Sequence, residues 1–297
     1  MRLVDPNMAH EEDLSMADRR LLIAFAHPDD ESFGLGALIA SYVAQGVKVY
    51  LICATDGDQG TVEPQYLNGY DSVRELRLAE LECASQTLGF ESVFTFGYSD
   101  SGMMGTPAND NPDCLWYAWH HQPEDLTRRV VDVMREVQPQ VVITFNEYGG
   151  YGHPDHIAIQ RATRQAFDLA ADPDYDGSDH APYQPQKLYY HQMPRSTFHM
   201  AVLMSRLRLQ DPRRVGANKD IDLLEILNNI DPVHARVPIS DYFDIWDQAN
   251  ACHASQGGGR VSGVPRWVKR LIASHQGFTR VIPAPASDRV DETDLFD

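Results

Sequence analysis

The sequence predicts an α/β protein: a mostly parallel sheet with helices on both faces and a C-terminal elaboration. Two observations predict it. Short apolar runs of strand length alternate with stretches of helical periodicity through the first two thirds of the chain. Polar, turn-forming residues gather directly after those runs. RLLIAFA at 20–26 suits a buried strand and stops at His27-Pro28-Asp29-Asp30-Glu31. Phe33 to Gln45 reads as a helix closed by Gly46. VKVYLICA at 47–54 is a second apolar run, followed by a polar loop from Thr55 to Gly60. Leu76, Leu78, Leu81, Ala84 and Leu88 give 72–88 a helical period that ends at Gly89. SVFTFG at 92–97 reads as a third strand.

Residues 98–121, with Gly102, Gly105, Pro107 and Pro112, are expected to be irregular. An irregular stretch of that length in a compact domain is functional or mobile. Residues 123–137 read as a helix that stops before Pro139, and QVVITF at 140–145 as a fourth strand ending in the loop Asn146 to His156. A helix follows to about Ala171, then a strand at 187–193 (KLYYHQM). Later segments read as a helix over 219–229, a strand over 233–239, a helix over 240–254 and a flexible Gly-rich loop from Gly257 to Gly263. The expected organisation is a polar lead-in over 1–19, one domain over 20–286 (core 20–193, elaboration 194–286) and a frayed acidic tail over 287–297.

A chain of 297 residues, 43% hydrophobic and 23% charged, buries a full core. Its 25 basic and 43 acidic side chains leave a net charge of -18, which repels nucleic acid and anionic membrane. No run approaches the roughly 18 apolar residues of a membrane span, and the opening stretch lacks the apolar core of a signal peptide. Cys53, Cys83, Cys114 and Cys252 are far apart and form no C-x-x-C pair. They are expected to be small buried residues rather than disulfides, in a reducing, cytoplasmic compartment.

Two loops carry the chemistry. His27-Pro28-Asp29-Asp30 follows the first strand and His153-Pro154-Asp155-His156 the fourth. In open α/β sheets ligands bind outside the carboxyl ends of the strands, so both loops can face one pocket. Asp and Pro also favour plain turns, but two such loops, each directly after a strand, point to a site. Imidazoles and carboxylates are ligands for zinc or a similar divalent ion such as Fe2+. A catalytic zinc has three protein ligands and one open position, and the simplest set is His27, Asp30 and His156. Asp29 is then the candidate general base. His153, as an imidazolium, would stabilise the oxyanion or protonate the leaving amine, with Asp155 orienting it.

The run Ala26-His27-Pro28-Asp29-Asp30-Glu31 with Gly34 and Gly36, and the run Tyr151-Gly152-His153-Pro154-Asp155-His156, resemble the two signatures of the LmbE-like (PIG-L) zinc deacetylases. The resemblance extends from about Leu21 to Ala171 and returns near His253-Ala254-Ser255-Gln256. It implies a Rossmann-like fold, one zinc on His27, Asp30 and His156, Asp29 as base, and His153 as electrostatic partner or acid. It also implies that Arg77 contacts substrate, that Asp100 in Asp100-Ser101-Gly102-Met103 binds sugar hydroxyls, and that Tyr151 lines the pocket. From the residues alone, Arg77 reads as a helix-surface partner of Glu80, Asp100 as a turn residue, Tyr151 as packing, and Glu31 as support for a helix N-terminus.

The Asp100–Met103 and Gly149–His153 runs resemble the thiol-cofactor (mycothiol/bacillithiol) branch. Its members deacetylate N-acetylglucosaminyl-inositol or -malate, or cleave the amide of mycothiol conjugates. At Gln248 relatives often carry a lysine. The expected function is a zinc-dependent hydrolase that removes acetyl from an N-acetylglucosamine-containing small molecule. A conjugate amidase is the alternative, and a two-metal phosphohydrolase recruiting Asp56 and Asp58 a third. The expected partner is a small amino-sugar conjugate, with no nucleic acid and no membrane; assembly with further copies of the chain is left open.

Overall fold

The apolar run after Arg20 becomes β1 (Arg20–Phe25), buried beyond its first residue, in a computed structural model that describes residues 18–216, 219–260 and 266–297. Most of the lead-in expected over 1–19, and residues 261–263 of the Gly-rich loop, lie outside the described residues. β2 (Lys48–Thr55) and β4 (Val141–Thr144) flank β1, both parallel to it. β3 (Ser92–Tyr98) extends the sheet beyond β2, and β5 (Lys187–Gln192) beyond β4, again in parallel. β7 (His275–Ile282) then pairs antiparallel with β5, and β6 (Ala235–Pro238) antiparallel with β7. The resulting order is β3-β2-β1-β4-β5-β7-β6. Buried parallel strands read as continuous apolar runs, which is why β1, β2 and β4 stand out in the sequence. β7 was not anticipated; HQGFTRVI carries no such run and mostly half-buries its residues.

From β1 the chain winds outward to β2 and β3 on one side, and from β4 to β5 on the other. The reversal opens a crevice at the carboxyl ends of β1 and β4. Helices cover both faces. α1 (Asp30–Ala44) and α2 (Val73–Leu88) pack with α9 (Phe243–Cys252), while α3 (Leu115–His121), α4 (Pro123–Val137) and α6 (Pro154–Leu169) pack with one another. α2 is bounded by local chemistry: the Ser72 hydroxyl accepts from the Glu75 N–H, and Gly89 closes the helix in the left-handed region. Gly36 decides how closely α9 approaches α1. A Cβ there would stand 2.7 Å from Trp246 Cδ1, and Trp246 Nε1 donates to the Ser32 carbonyl at 2.7 Å.

Several expectations are corrected. α1 begins at Asp30, not Phe33, so the acidic motif is itself the first helical turn, where negative charge is favoured. The stretch 98–121 ends in α3, seven residues rich in aromatics and histidine that bury Leu115 and Trp119. Between β4 and α6 the chain makes a single turn, α5 (Gly149–Gly152). The helix expected over 219–229 shrinks to α8 (Leu223–Asn228), and the unanticipated α7 (Arg195–Leu207) precedes it. α10 (Arg266–Ala273) leads into β7. The acidic tail does not fray: Leu295 is fully buried and Glu292 accepts hydrogen bonds from Lys187, Tyr189 and Arg280. Cys83 and Cys252 form a disulfide between α2 and α9, contrary to the expected free thiols, whereas Cys53 and Cys114 are free and buried. Among the described residues no helix is long and apolar enough to cross a membrane.

Candidate active site

The crevice is occupied by the two loops. β1 ends one residue before Ala26 and His27, and the chain then turns so sharply that Asp29 adopts φ 122°. A non-glycine residue in that region needs support from its surroundings, and Asp29 has it. Its backbone N–H donates to Glu31 Oε2 at 3.0 Å, and its carboxylate accepts from Arg77 at 3.1 Å. The Arg77 guanidinium also donates to the Pro28 carbonyl. Glu31 is braced in turn by Ser32 and by His253 Nε2, which lies 2.8 Å from Oε1, with both Glu31 and His253 fully buried. Arg77 is therefore a buried brace of the turn rather than a surface partner of Glu80. Gly60 makes room for it, since a Cβ there would meet the guanidinium at 2.5 Å.

From the other side, Phe145 and the α5 turn lead to His153, the residue before Pro154 at the start of α6. His153 Nδ1 accepts from the Asp155 N–H at 3.2 Å, which puts the ring proton on Nε2. One helical turn further in, His156 stacks on Phe145 with ring centroids 3.8 Å apart, and its Nδ1 faces the Gly149 carbonyl at 3.1 Å. That leaves His156 Nε2 aimed at the first loop.

Donor atoms of three residues meet there. His27 Nδ1 and His156 Nε2 are 3.1 Å apart; Asp30 reaches the first with Oδ2 and the second with Oδ1, each at 3.4 Å. Atoms ~2.0–2.1 Å from a tetrahedral zinc lie roughly 3.3 Å from one another, so the residues fit such an ion. Burial would raise the Asp30 pKa, but His156 and His27 outweigh it and hold the carboxyl well below its usual value. Among the described residues the groups with donor atoms close enough to share a metal are His27 with His153 and His156, and His27 with Asp100, His153 and Asp155, so that Asp30 adds to the first through its contacts with His27 and His156. The second lies on the opposite nitrogen of the ring, where His27 Nε2 faces Asp155 Oδ2 at 3.1 Å.

Asp155 thus departs from its expected task. Its carboxylate lies against His27 and is 3.9 Å from His153 Nδ1. Ser101 holds it there through both its backbone N–H, at 2.8 Å, and its hydroxyl. A carboxylate behind a metal-binding imidazole fixes the ring's tautomer and orientation. His153 departs as well. Burial, then the neighbouring His27 and His156, push its pKa well down, which opposes the imidazolium expected of it. Burial pushes Asp29 the other way, up to about 6 against the pull of Arg77.

Asp100 sits beside His153 and His27, with Oδ1 3.8 Å and 3.6 Å from their Nε2 atoms. Burial opposes its charge, but His27 and His153 hold its pKa far below the usual carboxylate range. Tyr151, in the α5 turn, sets its ring edge-on to His156 and lines the crevice. Asp56 and Asp58 are engaged elsewhere: Asp56 pairs with Arg74 at 2.9 Å, and Asp58 accepts from the Asp100 N–H at 2.7 Å.

The loops open on a polar cleft of about 470 Å³ that Asp29, Arg77, Asp100, Tyr151 and His153 line together with Gln59 and Gln256. Sequence reasoning missed two supports of this cleft, the Glu31–His253 pair and the Glu80 carboxylate, which accepts from both the N–H and hydroxyl of Ser255 at 2.8 Å. Their one signal was the short run His253-Ala254-Ser255-Gln256.

Residues 22–167 match the family described as PIG-L, GlcNAc-PI de-N-acetylase. A protein of Thermobifida fusca named 1D-myo-inositol 2-acetamido-2-deoxy-alpha-D-glucopyranoside deacetylase is 38% identical over 296 residues, covering 95% of this chain and 100% of that relative. Among solved structures, N,N'-diacetylchitobiose deacetylase of Pyrococcus horikoshii superposes with a TM-score of 0.58 at 18% identity, over 91% of this chain and 88% of that one. A 4-carboxy-2-hydroxymuconate hydratase of Pseudomonas putida has the same TM-score, 0.58, at 18% identity, over 91% and 98% of the two chains. At such identities the likeness is one of fold, and the reaction has to come from the site.

Proposed function

The chain belongs to the GlcNAc-PI de-N-acetylase (PIG-L) family, and from that premise we propose that it is a zinc-dependent N-deacetylase acting on an N-acetylglucosaminyl-inositol type of small molecule. The observation that carries this reading is the convergence of His27, Asp30 and His156, whose facing donor atoms lie 3.1–3.4 Å apart, with the Asp29 carboxylate beside them. These three residues would hold the ion, and the nitrogen and oxygen donors suit zinc. When bound, it supplies a positive charge that lowers the pKa of a water from 15.7 to about 7.

The chain's own residues do the rest. Asp29, half-buried and aimed by Arg77, takes the proton of the attacking water on its free carboxylate oxygen. His153 offers its Nε2–H to the oxygen of the amide carbonyl as charge develops there. Asp100, whose Oδ1 lies 3.8 Å from the same nitrogen, presents an acceptor to sugar hydroxyls. The proton collected by Asp29 passes to the departing amine, so that acid and amine leave together. Asp155 holds the His27 ring from behind.

The test is amine release from a panel of N-acetylglucosamine conjugates, with metal content measured on the same sample. We expect one zinc per chain, activity abolished by chelation and restored by zinc, and loss of the metal in His156→Ala. Amine release that persists after complete metal removal, or full zinc occupancy in His156→Ala, would refute the assignment.

A further inference from the structure

The disulfide stands directly behind the supports of Asp29. Cys252 is the last residue of α9, and His253 is the next residue in the chain. His253 and Glu31 are fully buried and face each other at 2.8 Å, and Glu31 accepts from the Asp29 N–H at 3.0 Å. A little further on, Ser255 donates to Glu80 through its N–H and its hydroxyl, each at 2.8 Å. Glu80 and Cys83 stand one turn apart on α2, and Arg77 one turn before Glu80. Arg77 in turn donates to the Asp29 carboxylate at 3.1 Å. The sulfur bridge thus closes a ring of contacts: Asp29 to Arg77, along α2 to Cys83, across to Cys252, then His253, Glu31 and back to Asp29.

Two features make that bridge a control point. Trp246 pins the front half of α9 to the Ser32 carbonyl of α1, so the bridge governs the far end, where His253 leaves the helix. Nε2 is the polar anchor of His253, since its Nδ1 is buried with no hydrogen-bond partner among the described residues. The bridge also lies within reach of solvent. Cys83 is exposed and Cys252 half-buried, whereas the free thiols Cys53 and Cys114 are buried. Exposed disulfides are the labile ones.

We propose that the Cys83–Cys252 bond is a site of thiol–disulfide exchange with a low-molecular-weight thiol, and that its closed form holds Asp29 in working position. The proposal rests on the amide-hydrolase reading above, in which Asp29 is the base. A thiolate of the small thiol attacks the Cys83 sulfur, the S–S bond breaks, and Cys252 leaves as a thiolate that takes a proton from water. A second small thiol attacks the mixed disulfide and releases Cys83. Two small thiols are oxidised to one disulfide while the two cysteines are reduced, and a small disulfide reverses both steps. Once the bond is open, the end of α9 is free to shift against α2. His253 then loosens from Glu31, and Glu31 from the Asp29 N–H. A misplacement of ~1 Å at a reacting group costs up to about 10²-fold. Arg77 still holds the Asp29 carboxylate, so the loss expected here is smaller.

The experiment equilibrates the zinc-loaded full chain in glutathione buffers of graded thiol-to-disulfide ratio, then measures amine release, zinc content and the alkylated fraction of Cys83 and Cys252. The oxidised form is expected to exceed the reduced form in kcat by about fivefold or more, with KM within about twofold and zinc unchanged. kcat should track the closed fraction and return when glutathione disulfide is added back. Cys83→Ser and Cys252→Ser are each expected to run at the reduced rate in every buffer, which separates the bond from Cys53, Cys114 and any stripping of zinc by thiol. His253→Leu is expected to lower kcat and to abolish the response to the buffer. Equal kcat in the two forms, a response that survives in the serine variants or in His253→Leu, or a bond that stays closed in fully reduced buffer overturns the proposal and leaves the deacetylase reading standing. If no form releases amine with zinc bound, both fall.

Discussion

Asp29 is held between opposing influences. Burial raises its pKa to about 6, while the Arg77 guanidinium at 3.1 Å favours the charged form. A general base works deprotonated, so the sign follows directly. kcat/KM is expected to be level above about pH 6 and to fall tenfold per pH unit below it. Arg77→Met removes the opposing charge and is expected to move that acid limb to higher pH. Asp29→Asn is expected to lose roughly 10²–10⁴ in kcat while keeping its zinc. An acid limb that ignores Arg77→Met would reassign the base. At this scale the ligand and base candidates were legible, because each lies within four residues of its motif partners. The Glu31–His253 contact was not, since 222 positions separate the two residues.

Elements fix where those side chains stand. α2 carries Arg77 and Glu80, and α9 runs directly into His253 and Ser255, so the packing of these two helices shapes one wall of the cleft. The Cys83–Cys252 disulfide joins them across 169 positions. Removing it frees the unfolded chain and is expected to cost about 2–4 kcal/mol. The unfolding free energy from urea titration should fall by that amount on reduction or in Cys252→Ser, and coincident urea midpoints would mean the bond does not form in solution. The pairing was invisible in the sequence because spacing reports only local cross-links, and α2 and α9 meet through the fold. α7 and α8 escaped for a related reason. Their periodicity is weak, and a small cluster around Phe198, Val202 and Ile226 orders them against Tyr148 and Tyr151.

Across the whole molecule, the last residues close the structure. Glu292 lies within 2.7 Å of the Lys187 ammonium, the Tyr189 hydroxyl and the Arg280 guanidinium, and Asp294 accepts from Tyr42 at 2.9 Å. Ending the chain at Ala286 strips partners from buried groups of β5 and β7 and uncovers the site filled by Leu295. It is expected to cost on the order of 3 kcal/mol, seen as a lower Tm. An unchanged Tm would show that the tail does not dock in solution.

The sequence by itself determined the parallel core and the two polar loops that meet at its edge, because buried parallel strands and helix starts are written in local apolar runs and turn residues. The tertiary structure alone decided which carboxylate backs which imidazole, that two distant cysteines meet, and that a polar strand completes the sheet. Those outcomes depend on which surfaces the closed sheet brings within a few ångströms, and no local pattern of residues encodes such distances.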